Sequence, residues 1–297
     1  MVSIIIPTYN ASRYLAAQLN ALHRQTVGDA EILIIDSSST DNTLEIANSY
    51  KLKTFVIPKS EFDHGGTRTF AGRQASGDSL VYMTQDAIPV HESAVENLLK
   101  PLKSDDRIGM AFGRQIPSPD ATPFAIHPRM FNYPEKSYVR TLDDRVMFGL
   151  KAAFCSNSFA VYRRSTLEDV GWFKEKLLFG EDMHACARML MRGYKVGYVA
   201  DAMVYHSHNY SLPDEFRRYF AIGMFHKQEQ WLLEEFGGAE GEGLRYVKSE
   251  LSFLLSTKLF HYLPISLLRS LCKFAGYKLG YHYDSFSWVR SLGTHAK

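Results

Sequence analysis

An excess of charge of one sign is missing from this 297-residue chain, in which 34 lysines and arginines stand against 32 aspartates and glutamates for a formal net charge of +2. That balance, with no lysine or arginine run in the first 200 residues, excludes a phosphate-tracking stripe and so a nucleic-acid partner. Cysteine is scarce: Cys155, Cys186 and Cys272 are odd in number, lack short spacing and fit neither a disulfide framework nor a zinc site. A reducing, cytoplasmic compartment is the simplest expectation. Long apolar runs are absent too. No stretch reaches the roughly 18 to 20 uninterrupted apolar residues of a membrane span, and Val2 to Ile6 is too short for a signal peptide. The expectation is a protein that is soluble or peripheral on a membrane surface. No P-loop and no Gly-x-Gly-x-x-Gly follows the first strand, which argues against ATPases and dinucleotide enzymes. No repeat or low-complexity tract occurs.

What is present is ordinary globular material, 45% hydrophobic and 22% charged, enough for one large α/β domain or two small ones. Val2 to Ile6, Glu31 to Asp36, Lys53 to Ile57 and Ser79 to Met83 are short β-rich runs. Helical periodicity at Arg13 to Gln25, Thr40 to Tyr50 and Thr67 to Ser76 separates them, which predicts a parallel sheet covered on both faces. A helix over His91 to Lys103 and a strand over Ile108 to Gln115 follow. Residues 117–150 have no period and read as a long functional loop. Ala152 to Arg163 returns to strand character, and Tyr194 to Tyr205 suggests two short strands around Asp201. From Pro213 onward the chain reads as helices, Asp214 to Phe236, Leu244 to Tyr262 and Ile265 to Gly280. The predicted organisation is a domain over 1–212, with a donor-binding part (1–115) and an acceptor part (116–212), and a helical module over 213–297. Lys258, Arg269, Lys273, Lys278 and Arg290 lie among Leu, Phe, Tyr and Trp, which suits either an ordinary basic solvent face or a helix lying on a membrane.

Candidate site residues cluster at strand ends, and in open α/β sheets the carboxyl edge is where ligands bind. Pro7-Thr8-Tyr9-Asn10 ends the first strand, and Asp36-Ser37-Ser38-Ser39-Thr40-Asp41 ends the second. Asp36 can accept from the ring N–H of uracil or thymine and the hydroxyls can reach ribose, while Asp36, Ser38 and Asp41 can equally cap the next helix. His64-Gly65-Gly66-Thr67-Arg68 precedes a helix; its amides, with Arg68 or Arg73, offer contacts to a diphosphate, although Gly-Gly also describes an ordinary loop. Thr84-Gln85-Asp86-Ala87 ends the fourth strand. Asp86 can hold a hard divalent cation, Mg²⁺ or Mn²⁺, and one imidazole of His206-Ser207-His208 can join it or meet the diphosphate. Glu181-Asp182 opens a helix, and Asp182 can take a proton from a nucleophilic hydroxyl.

In this order these segments resemble the inverting glycosyltransferase family 2, which has the GT-A fold, over roughly residues 1–210. The resemblance implies a Rossmann-like, mostly parallel sheet with helices on both faces. It also implies nucleoside contacts from Pro7, Tyr9, Asp36 and Ser38, with Thr8 and Gln85 beside them as further donor-binding candidates, a metal on Asp86 with His206 on the metal or the diphosphate, and catalysis by Asp182 with Glu181. The family's Asp-x-Asp stands here as Thr84-Gln85-Asp86, without its first carboxylate. Its Gln-x-x-Arg-Trp is absent, with Phe216-Arg217-Arg218-Tyr219 a distant echo, so distributive transfer is expected. Phe62 to Arg68 with Thr84 to Ala87 is similar to bacterial rhamnosyltransferases that use dTDP-β-L-rhamnose, which implies a saccharide or lipid-linked oligosaccharide acceptor. A UDP-hexose or UDP-N-acetylhexosamine donor is the alternative. A nucleotidyltransferase and a non-catalytic nucleotide-sugar sensor are the rival classes.

Overall fold

The computed structural model describes residues 1–238 and 240–285. Strands and helices alternate through the first third: β1 (Val2–Thr8), α1 (Ser12–His23), β2 (Ala30–Asp36), α2 (Thr43–Ser49), β3 (Lys53–Val56), α3 (His64–Gln74) and β4 (Ser79–Met83). β1 pairs in parallel with β2 and β4, and β2 with β3, as helical crossovers require. Ile4, Ile5, Ile6, Leu33, Ile34 and Ile35 are buried, because helices cover both faces. These strands therefore read as apolar runs and not as alternations.

The second part comprises β5 (Ile88–Pro89), α4 (Ala94–Ser104), β6 (Ile108–Ile116), α5 (Pro123–Asn132), β7 (Tyr138–Arg140), α6 (Arg145–Phe148), β8 (Phe159–Arg163), α7 (Arg164–Asp169), α8 (Glu181–Met191) and β9 (Lys195–Tyr205). One 9-stranded sheet runs β3-β2-β1-β4-β8-β6-β9-β5, with β7 paired to β9. β8 lies antiparallel between β4 and β6, and β9 runs parallel to β6, so the sheet is mixed beyond β4. The segment 117–150, expected as a loop, contains α5, β7 and α6. Pro123 opens α5 at a position that needs no N–H, whereas Pro128 inside it removes a helical donor and blurs the periodic pattern. Strand character expected from Ala152 is confined to Phe159–Arg163. The two strands expected around Asp201 are one strand, whose register on β6 slips between Gly113↔Val199 and Arg114↔Met203. Asp201 sits exposed in that irregularity.

The C-terminal helices are α9 (Leu212–Gln228), α10 (Gln230–Phe236), α11 (Glu240–Ser256) and α12 (Leu263–Tyr281). Ser211 and Asp214 form a capping box that starts α9, and the expected single helix Asp214 to Phe236 breaks at Glu229. Phe225, Leu232 and Phe236 enter the main core, so α9 and α10 are anchored in the sheet domain. α12 packs on α9 through glycine: an added Cβ would lie 2.7 Å from the Phe216 carbonyl oxygen at Gly276 and 2.0 Å from that of Phe220 at Gly280. No described helix is long and apolar enough to cross a membrane. Arg290 lies outside the described residues.

Candidate active site

The exits of β1, β2 and β4 meet at the carboxyl edge of the parallel strands, as the sequence pattern predicts. Gln85 clamps the first exit from both sides: its Oε1 accepts from the Tyr9 N–H (2.8 Å) and its Nε2 donates to the Tyr9 carbonyl (3.1 Å). Asp36 is fully buried, and its carboxylate accepts from Thr8 Oγ1 (2.8 Å), Ser39 N (2.8 Å) and Ser39 Oγ (2.6 Å). Here Thr8 and Asp36 shape the loop, with both side chains closed from solvent. Asp41 accepts from Ser12 N, Thr43 N and Thr43 Oγ1, the capping role it could equally have had. Pro7 is half-buried in β1. Tyr9, Ser38 and Lys59 are exposed at this edge, and the Lys59 Nζ donates to the Tyr9 hydroxyl (2.7 Å). Ser38 is held at φ 57° with its Oγ on the Ile57 carbonyl, a left-handed conformation that costs a non-glycine residue energy.

At the end of β4, Gln18 of α1 donates to the carbonyls of Thr84 (2.7 Å) and Ala87 (2.9 Å) and fixes the turn that carries Asp86. His206 Nε2 lies 3.4 Å from Asp86 Oδ1, His208 Nε2 lies 3.6 Å from Asp86 Oδ2, and the two Nε2 atoms are 3.2 Å apart. His206 Nδ1 donates to Gln115 Oε1 at 2.9 Å. A neutral His206 therefore turns its unprotonated Nε2 toward both Asp86 and His208. Burial draws both imidazoles below their ordinary pKa, His208 to about 4, which keeps them neutral near pH 7. Burial opposes the Asp86 charge as well, yet His206, His208 and Thr84 together hold its carboxyl below the usual range. An anionic carboxylate and two neutral imidazoles converge here, with one ligand atom from each inside a 4.8 Å span. This donor set fits a divalent cation.

α8 delivers the second pair of carboxylates. Gly180 adopts φ 80° ahead of it, and an added Cβ would meet the Phe225 ring at 2.6 Å, so only glycine lets the helix start against α9. Glu181 is buried and pairs with Arg68 Nη1 (3.2 Å), while Asn157 Nδ2 donates to it (3.1 Å). The half-buried Asp182 accepts from the N–H groups of Asn157 (3.1 Å) and Met183 (2.8 Å). Burial and the neighbouring Glu181 charge push its pKa up to about 7. The turn Ser156 to Ser158 links the two clusters: Gln115 Nε2 donates to Ser156 Oγ (2.9 Å), and the Ser158 carbonyl accepts from Thr84 N (3.4 Å). Tyr162 then locks Asn157 through its hydroxyl at 2.7 Å.

The His64 to Arg68 segment is used differently from the diphosphate cradle expected of it. Its two glycines lie in the first turn of α3, where the Gly66 N–H is capped by Asp63 Oδ1. A Cβ at Gly65 would lie 1.9 Å from the Lys174 carbonyl oxygen, so this glycine serves close backbone packing. Arg68 is buried between the His64 carbonyl (2.9 Å) and Glu181, which removes it from the diphosphate. Arg73 is exposed at the far end of α3, over the Trp172 ring, on the side of the sheet opposite the strand exits. His64 is the exposed member, edge-on to Phe62. Within residues 117–150, Tyr133 and Arg140 are buried, Arg140 donating to the Lys151 carbonyl. Arg129 differs. It and Arg218 both act electrostatically on His206 and His208, and Arg218 lies over Phe179 and Tyr210. The positive charge beside the Asp86, His206 and His208 cluster thus comes from α5 and α9.

The sequence profile described as Glycosyl transferase family 2 matches residues 3–171, which carry the loops after β1 and β2, Asp86 and Asn157. The chain belongs to glycosyltransferase family 2. This family 2 enzyme is 44% identical over 286 residues to the O-antigen chain rhamnosyltransferase RfbN of Salmonella typhimurium, covering 96% of this chain and 90% of the relative. It is 46% identical over 285 residues to the O-antigen chain rhamnosyltransferase WbaN of Salmonella anatum, covering 95% and 90%. In fold it is similar to the mannosyltransferase PcManGT from Pyrobaculum calidifontis in complex with GDP-Man and Mn²⁺, with TM-score 0.61, 18% identity, and coverage of 99% of this chain and 83% of that one. It is likewise similar to S. aureus TarS 1-349 in complex with UDP-GlcNAc, with TM-score 0.57, 16% identity, and coverage of 96% and 91%. Those likenesses establish the GT-A architecture. Sequence reasoning about this transferase overlooked Asn157, Gln115 and Arg218. Only Arg218 left a signal, inside Phe216-Arg217-Arg218-Tyr219.

Proposed function

We propose that this enzyme is an inverting transferase that moves L-rhamnose from dTDP-β-L-rhamnose to a hydroxyl of a saccharide acceptor. The setting is synthesis of a bacterial cell-surface polysaccharide, an O-antigen or capsule, with the acceptor carried on a lipid at the cytoplasmic face of the membrane. The observation that supports this most is identity of 44% and 46% running through nearly the whole length of two O-antigen rhamnosyltransferases. The residues supply the chemistry. Asp182 takes the proton from the acceptor hydroxyl. The freed oxygen attacks the anomeric carbon from the face opposite the diphosphate, and the bond to dTDP breaks with its electron pair leaving on the nucleotide, so a β-linked donor becomes an α-L-rhamnoside. Asn157 holds the Asp182 carboxylate, and the buried Glu181–Arg68 pair fixes the start of α8. Arg129 and Arg218 meet the growing phosphate charge, the role expected of Arg68 and Arg73. Tyr9, Ser38 and Lys59 receive the nucleoside. Asp86, His206 and His208 would hold a divalent cation, which when bound neutralises charge on the leaving diphosphate. Two imidazoles in the donor set favour Mn²⁺ over Mg²⁺.

Titration calorimetry of the purified protein with dTDP-rhamnose, UDP-glucose and UDP-N-acetylglucosamine, each with and without Mn²⁺, tests the assignment. Selective, Mn²⁺-strengthened binding of dTDP-rhamnose is the expected result. Preference for a UDP-sugar would leave the family and the base in place but overturn the rhamnose donor.

A further inference from the structure

α12 is built inside out. Its solvent side carries Leu267 (50% exposed), Leu268 (49%), Leu271 (67%) and Phe274 (62%), while Ser266, Lys273, Gly276 and Gly280 face the protein. In a water-soluble surface helix the apolar stripe faces the core. The cause of the inversion is visible in the packing on α9, where glycine lets the two backbones approach and leaves no room for large side chains between them. Two of the cations that suggested a basic solvent face are not on it. Lys273 and Arg269 turn inward to Glu215, at 3.3 Å and 3.1 Å. Leu255 (50%) at the end of α11 and Phe260 (55%) in the connection extend the exposed apolar surface.

Charge selects what covers this face. From Leu251 to Tyr283 the sequence contains no aspartate or glutamate. The cations at the edge of the stripe are Lys258, exposed after α11, and Lys278, whose Nζ lies 5.7 Å from the centroid of the Phe274 ring. Leucine and phenylalanine rimmed by lysine, with no acidic side chain in the segment, match the acyl chains and anionic headgroups of a lipid surface. A patch of this kind is larger than isolated exposed apolar residues require.

We infer that the outward face of α12, extended by Leu255 and Phe260, is a membrane-docking surface that inserts its apolar side chains among the lipids and sets Lys258 against anionic headgroups. This deepens the proposed reading of a lipid-carried acceptor and rests on it for its purpose, but its test needs neither donor nor acceptor. Insertion here would hold the transferase beside the membrane without a spanning helix.

Flotation of the full-length protein with vesicles of phosphatidylcholine and phosphatidylglycerol tests it. The wild type is expected to float with the vesicles, and Leu271→Glu/Phe274→Glu to bind them at least tenfold more weakly at an unchanged melting temperature. Lys258→Glu is expected to weaken binding to these vesicles while leaving binding to pure phosphatidylcholine unchanged. Wild-type protein that stays in the soluble fraction, or a double variant that floats equally well, would overturn the inference. So would sedimentation showing a wild-type dimer that the double variant splits, since the face would then belong to a second copy. Calorimetry with dTDP-rhamnose on the same samples separates this failure from failure of the donor assignment.

Discussion

Asp182 and Glu181 are adjacent in sequence yet hold their protons differently. Glu181 has the Arg68 guanidinium and keeps its charge, while Asp182 has burial and the Glu181 charge against it and titrates at about 7. A carboxyl whose folded pKa exceeds its ordinary 3.8 is harder to ionise in the fold, so its contribution to stability falls as pH rises from there through about 7. For a general base the same shift means that activity rises with pH through that region. Glu181→Gln removes one cause of the shift, and the rising limb of kcat/KM against pH should move to lower pH. The cost is an unpaired buried Arg68, roughly 3–5 kcal/mol of stability. An unmoved limb would show that burial alone sets the Asp182 pKa. Both carboxylates were legible in the sequence because they stand at element ends. Asn157 and Gln115 were not, since they work by orienting groups remote in sequence. Arg68 and Arg73 were assigned by charge and by their place after Gly65-Gly66, which cannot tell a guanidinium facing a ligand from one closed by a buried glutamate.

The elements are fitted to one another through a few backbone contacts. Asp63 caps α3 and also accepts from Lys176 N at 2.8 Å, so α3 and the loop before α8 are joined where Gly65 touches Lys174. Gly65→Ala should therefore cost about 1–3 kcal/mol, because backbone must move to admit the Cβ. Gly241→Ala, with nothing within 4 Å in α11, should be neutral or stabilising by up to about 1 kcal/mol. Thermal melting of the two variants checks this, and equal melting temperatures would contradict the close packing. The alternation of β1 to β4 with helices was plain in the sequence because buried parallel strands are apolar throughout. α5 and the single β9 were hidden, one by Pro128 inside a helix and the other by a register slip at Asp201.

Across the whole molecule, the parallel half of the sheet gathers the loops after β1 and β2 and Asp86, while the antiparallel insertion of β8 brings the turn Ser156 to Ser158 between Asp86 and Asp182. Motif order was enough to indicate the family, but β8, between β4 and β6, follows both in sequence, and such long-range pairing leaves no local trace. The two clusters, one suited to a cation and the other to a proton, are the central claim. Its most direct test is the rate of rhamnosyl transfer from dTDP-rhamnose against pH for the wild type and Asp182→Asn, with donor binding followed by calorimetry. The wild-type rate should rise through about pH 7, where Asp182 ionises. Asp182→Asn should be slower by about 10²–10⁴-fold, flat across that range and unimpaired in donor binding. A variant that keeps the rate and its pH dependence, or that loses donor binding in equal measure, would contradict the account.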